Sequence, residues 1–91
     1  MRVVWKYQLM GEWGEQLLDL PDGHRIISCQ DRDDLPTLWV ECENDAPLLR
    51  RHFVIIRTGE IVPEYGKHIA SLQIGNDLAH IYILPHVIYG A

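Results

Sequence analysis

The sequence predicts an all-β domain: a single small antiparallel β-sandwich or β-barrel of about seven short strands. Three observations carry this expectation. Apolar residues sit in short runs with a two-residue alternation, not at helical spacing. Clusters of Gly, Pro, Asn and Asp interrupt those runs every several residues. The remaining apolar turn-length segments are too short to stand as helices. With 91 residues the chain is one domain, 1–91, and 47% hydrophobic residues is the composition of a globule rather than a disordered chain.

Val3, Trp5, Tyr7 and Leu9 alternate with Val4, Lys6, Gln8 and Met10, which gives a first strand with its aromatic face inward. The segment GEWG, residues 11–14, breaks it. Trp13 there either folds back as a cover or stays exposed as an anchor. Glu15 to Leu20 reads as a second strand, ended by the turn residues Pro21, Asp22 and Gly23.

The centre of the chain is His24 to Glu43, two strands around the polar turn DRDDLP. Pairing Cys29 with Leu38 puts Ile27 opposite Val40. Ile27, Cys29, Leu38 and Val40 then share the core face, and Ile26, Ser28, Trp39 and Glu41 the other. In that register Ile27→Asp is expected to unfold the domain. Cys29 and Cys42 are expected to be reduced, buried and unlinked.

Leu48 to Arg51 allows one helical turn. Residues 51–58 form the most apolar strand, with Phe53, Val54, Ile55 and Ile56 loading both faces, as in a strand lying between two layers. Residues 59–66, GEIVPEYG, form the candidate functional loop by length. His68 to Ile74 and Leu78 to Leu84 are the last strands. Pro85 is expected to stop the second of these and leave 85–91 as a tail docked through Val87, Ile88 and Tyr89.

A formal net charge of −5 argues against non-specific nucleic-acid binding, which needs a basic footprint. No apolar run is long enough to span a bilayer, and MRVVWKYQ has no apolar signal core, so neither membrane insertion nor export is expected. The five histidines show no metal-binding spacing. Asp31, Asp33 and Asp34 lack the central glycine and distal glutamate of a calcium loop and read as a solvated turn. No nucleophile elbow, phosphate loop or dinucleotide fingerprint occurs. Catalytic residues, metal ligands and cofactors are therefore not expected.

Several short segments recur in a recognisable order: WKYQL at Trp5 to Leu9, LPDG at Leu20 to Gly23, IISCQ at Ile26 to Gln30, and LW at Leu38–Trp39. DAP at Asp45 to Pro47, RRHFVI at Arg50 to Ile55, TG at Thr58–Gly59 and SLQI at Ser71 to Ile74 follow. In this order and spacing the chain resembles a family of small uncharacterised bacteriophage proteins over about Trp5 to Leu84. It departs from that pattern at Arg57, where those proteins tend to have glycine, and in its extension beyond Pro85. The resemblance implies a phage accessory protein in the host bacterial cytoplasm and transfers no catalytic residue.

Two functions from different classes follow as expectations. The first is non-catalytic interaction with a bacterial or phage protein, in the manner of an anti-defence or anti-CRISPR factor. Its surface would be Trp13, Tyr65 and the acidic turn Asp31, Asp33 and Asp34, because loops are free to vary, aromatics anchor and charges steer. The second is binding of an anionic small ligand such as a nucleotide by Arg50, Arg51 and Lys67, with Trp13 or Tyr65 stacking a base. A minor virion role and a homo-oligomer stay open.

Overall fold

In the computed structural model, which describes residues 1–10 and 13–88, the chain forms a two-layer antiparallel β-sandwich. Gly11 and Glu12 of the GEWG break, the side chains of Val87 and Ile88, and residues 89–91 of the expected tail lie outside the described residues. The seven strands are β1 (Arg2–Gln8), β2 (Gly14–Pro21), β3 (Arg25–Arg32), β4 (Leu35–Glu43), β5 (Leu48–Arg57), β6 (Lys67–Ile74) and β7 (Asp77–Ile88). One sheet has the order β1-β4-β3 and the other β2-β5-β7-β6. The layers approach most closely where β3 lies against β6.

The core fills the space between the layers. Leu9, Leu20, Leu38, Val40, Phe53, Ile55, Ala79, Ile81 and Ile83 are buried together, with Ile26, Cys29, Ile69 and Leu72 packed at the margin. Burying an apolar side chain of this size contributes about 1.5–3 kcal/mol. β5 has two apolar faces but does not lie between two layers: the other sheet covers one face, and residues of its own sheet form a small cluster on the other. Phe53 and Ile55 point into the sandwich, while Val54 and Ile56 join Leu84 in a second cluster under Tyr82. The β5–β6 loop closes on the same ring: a Cβ at Gly66 would come within 2.9 Å of Pro63 Cγ and 3.3 Å of Tyr82 Cδ1, so glycine is required there.

The central hairpin keeps one expected pair and loses the other. Cys29 does face Leu38, but Val40 faces Ile26, because the register shifts between Ile26 and Ser28. Ile27 is the extra residue of that β-bulge and stands 46% exposed. Its expected core position is therefore wrong. The bulge turns Ile26 inward and releases Ile27. The hairpin tip is only Asp33–Asp34, at φ 56° and 61°, the left-handed pair of a type I′ turn. Asp31 and Arg32 belong to β3, and Leu35 and Pro36 to β4.

Three further expectations change. Leu48 to Arg51 is the start of β5 rather than a helical turn. Pro85 does not stop the last strand. β7 runs through it to Ile88, and the ladder to β5 is broken between the pairs Phe53–Ile83 and Arg51–Val87, so the missing N–H falls in an irregularity. Trp5 shares the inward side with its partner Val40 yet stays 49% exposed, because β1 is an edge strand with no neighbour on its outer flank among the described residues.

Cys42 is fully buried opposite Val3 of β1, Cys29 is only partly buried at the margin of the core rather than fully buried as expected, and neither cysteine is in a disulfide. Burial pushes the Cys29 thiol up from 9.0 to about 11. The thiolate is the reactive form, so Cys29 should carry about a hundredfold less of it than an unperturbed thiol. Native-state labelling with a maleimide should be slow at both positions and rapid once the protein is denatured. Fast native labelling of either would place that thiol outside the core.

Candidate functional site

Three ladder irregularities sit close together in the fold: between Ile26 and Ser28 in β3, His68 and Ala70 in β6, and Arg51 and Phe53 in β5. A bulge re-aims the side chains beside it. Here they border an open cleft of about 480 Å³ lined by His24, Arg25, Ile26, Arg51, Lys67, His68, Ile69 and Ile83. Both sheets contribute. Ile26, Ile69 and Ile83 supply the apolar wall, and Arg25, Arg51 and Lys67 supply three permanent cations without a carboxylate in the lining. In a chain of net charge −5 this is a strong local inversion of sign.

Arg51 is the most constrained of the three. Its Nη1 lies 3.1 Å from His24 Nε2, and its Nη2 donates to the Leu84 carbonyl at 3.0 Å. Its Nε is buried without a partner among the described residues. The guanidinium is thus held rigidly while one donor is unsatisfied, the kind of buried group that asks for an acceptor. His24 Nδ1 is 2.8 Å from the Pro21 carbonyl. A carbonyl only accepts, so Nδ1 carries the proton and Nε2 accepts from Arg51. Burial, then the neighbouring Arg51 charge, lowers the His24 pKa from 6.5, with the Pro21 bond opposing. With both nitrogens engaged, His24 serves as a support for Arg51 rather than a proton donor to a ligand.

His68 leads out of the cleft into a hydrogen-bonded chain across the outer face of the four-stranded sheet. Its Nε2 is 2.9 Å from Ser71 Oγ, which is 2.8 Å from His80 Nδ1; His80 Nε2 is 2.9 Å from Thr58 Oγ1. These contacts fix ring orientations.

The residues expected to act together occupy different environments. Arg51 and Lys67 meet in the cleft. Arg50 does not: it pairs with Asp19, Nε to Oδ1 at 2.9 Å, one residue out of phase with Arg51 on β5. Trp13 is partly buried against the main core with the Arg57 guanidinium 3.9 Å from its ring centroid, so it is a cover rather than a free anchor or a base-stacking platform. Tyr65 is 79% exposed and held at φ 62°, a conformation uncommon for an aromatic residue, in a turn closed by Gly66 N–H to the Pro63 carbonyl. Asp31, Asp33 and Asp34 are exposed. Sequence reasoning missed His24, Arg25 and His68. Arg25 and Lys67 both open strands, and that shared position is the one signal that could have paired them.

Among the described residues, no three His, Cys, Asp or Glu side chains converge as a metal site, and no helix is long and apolar enough to cross a membrane. No curated protein and no solved structure matches the chain. A family model does: residues 1–88 match the domain of unknown function DUF7352, and the chain belongs to that family.

Proposed function

We propose that the protein is a non-catalytic binding protein for a small phosphate-bearing anion, held between the sheets by Arg25, Arg51 and Lys67. The observation that carries this is the all-cationic lining of a cleft with an apolar wall. Arginine forks match phosphate oxygens, lysine adds a point charge, and the isoleucines suit the less polar body of a ligand such as a nucleotide. Trp13 lies outside the cleft lining with Arg57 over its ring and is not part of this proposal.

Calorimetric titration with pyrophosphate and with a nucleoside triphosphate tests the reading. Binding is expected to saturate and to weaken as salt is raised. Lys67→Ala should remove about 1.5–3 kcal/mol, the contribution of a hydrogen bond to a charged group, which is roughly tenfold or more in affinity. Arg50→Ala should leave it unchanged, because Arg50 is committed to Asp19 outside the cleft. The absence of saturation at low salt, or equal damage from the Arg50 and Lys67 variants, would overturn the proposal.

A second reading is favoured by a separate observation. Ile61, Val62 and Tyr65 are 90%, 51% and 79% exposed on one loop, with Tyr65 at positive φ. An apolar loop tip of this kind fits a protein partner. It suits the setting implied by the phage resemblance, an accessory factor acting on a bacterial protein in the host cytoplasm. Pull-downs and calorimetry separate the two. Capture lost with Tyr65→Ala but kept with Lys67→Ala supports the protein partner, whereas calorimetric anion binding lost with Lys67→Ala but kept with Tyr65→Ala supports the anion.

A further inference from the structure

On the face of β5 opposite Arg51, two histidines meet nitrogen to nitrogen. His52 Nδ1 and His86 Nε2 are 3.3 Å apart, with ring centroids at 5.4 Å and the planes at 71°. The irregularity between Ile83 and Val87 carries His86 to this position beside β5. At this distance the two rings meet as a long N–H···N hydrogen bond, one nitrogen donating and the other accepting. Two imidazole nitrogens bound to one tetrahedral zinc at ~2.0–2.1 Å stand about 3.3–3.4 Å apart. The observed 3.3 Å spacing therefore matches that of two zinc-bound imidazoles as well as that of a hydrogen bond, so an ion can replace the proton between them with little movement of either ring.

The far side of His52 fits it as well. Glu15 Oε2 lies 3.5 Å from His52 Nε2. A carboxylate there favours the proton on Nε2, which leaves the Nδ1 lone pair for a metal, and this carboxylate–histidine pairing is the usual support of a metal-binding imidazole. Glu15, His52 and His86 come from β2, β5 and β7, adjacent strands of one sheet, so the backbone holds the nitrogens in place. The other histidine chain on this face is different: both nitrogens of His80 are taken by the Ser71 and Thr58 hydroxyls.

We infer that His52 and His86 form a two-histidine anchor for a zinc-class divalent ion, with Glu15 as the residue that positions His52. Imidazole donors at tetrahedral spacing suit zinc, and copper competes for the same ligands. Two protein ligands do not close a coordination shell. The ion would keep its other positions for water or an incoming donor, as open sites do. The site is independent of the anion cleft.

Calorimetric titration of chelator-treated protein with zinc chloride at pH 7.5 is the test. One saturable site is expected. His52→Ala and His86→Ala should each weaken it at least tenfold while the zinc-free melting temperature stays near wild type. Glu15→Gln should weaken it about tenfold, the usual effect of losing such a support. His80→Ala, on the same face, should leave it unchanged. No saturation up to millimolar zinc, or saturation that survives both histidine variants, would overturn the inference. Unchanged affinity in Glu15→Gln would overturn the positioning role.

Discussion

Val40→Asp is expected to unfold the domain, whereas Ile27→Asp, thirteen positions earlier and of similar apolar type, should leave it folded. Val40 is fully buried in β4, at the centre of its sheet, between Trp5 on one side and Ile26 on the other. A carboxylate there loses its water and gains no partner, a change that costs upwards of about 4 kcal/mol. A chain of 91 residues has a total stability on the order of 5–15 kcal/mol, so most of it would be lost. Ile27 is the bulge residue and already half exposed. Its replacement forfeits a little apolar cover and some strand preference, roughly 1 kcal/mol. Circular dichroism melts of the two variants check the pair. If Ile27→Asp collapses and Val40→Asp does not, the register of the central hairpin is not the one described.

Arg51→Ala is expected to abolish anion binding and to weaken the fold at the same time. The guanidinium joins three elements: the cleft lining, His24 Nε2 and the Leu84 carbonyl. Truncation leaves two partly buried acceptors without a donor, about 1–3 kcal/mol for each fully desolvated group. Arg51→Lys keeps the charge but lacks the fork, so it should restore little of either property. The His24 contact adds a pH signature. The His24 pKa is lowered in the folded protein, chiefly by burial, so the unfolded chain binds the proton more readily. The stability contributed by neutral His24 is fully present above about pH 6.5 and is lost as the pH falls through the lowered folded value. Melting temperature should therefore drop on acidification below pH 6.5. His24→Gln, which offers Arg51 an acceptor that does not titrate, should reduce that drop. An acid response unchanged in this variant would assign it to other groups.

Strand positions were legible because they are local. Alternation in VVWKYQL and the double-faced HFVII run reflects which side of a strand meets the core, and PDG and GND mark turns through their own backbone preferences. Seven strands, the Cys29–Leu38 pair and the two apolar faces of β5 all follow from such patterns. Bulges are not local. Ile27 and Ile69 look like any strand isoleucine, and what makes each an extra residue is the length of the ladder it pairs with. One unread bulge reversed the faces of Ile26 and Ile27. Pro85 misled for the same reason: it sits among the extra residues of β7 between Ile83 and Val87, opposite a β5 that pairs regularly with β2.

The site was less legible than the fold. Arg51 and Lys67 were singled out by charge, but Arg50 carries the same charge and points the other way, because neighbouring residues on a strand face opposite sides. Arg25, Arg51 and Lys67 are far apart in the chain, and only the approach of β3 to β6 makes them one cleft. His52 and His86 likewise meet only across the irregular β5–β7 ladder. The sequence by itself determined where strands and turns lie, since those preferences act over a few residues. The tertiary structure alone decided which charges and imidazoles converge, since that depends on register and sheet stacking between segments with no local information about each other.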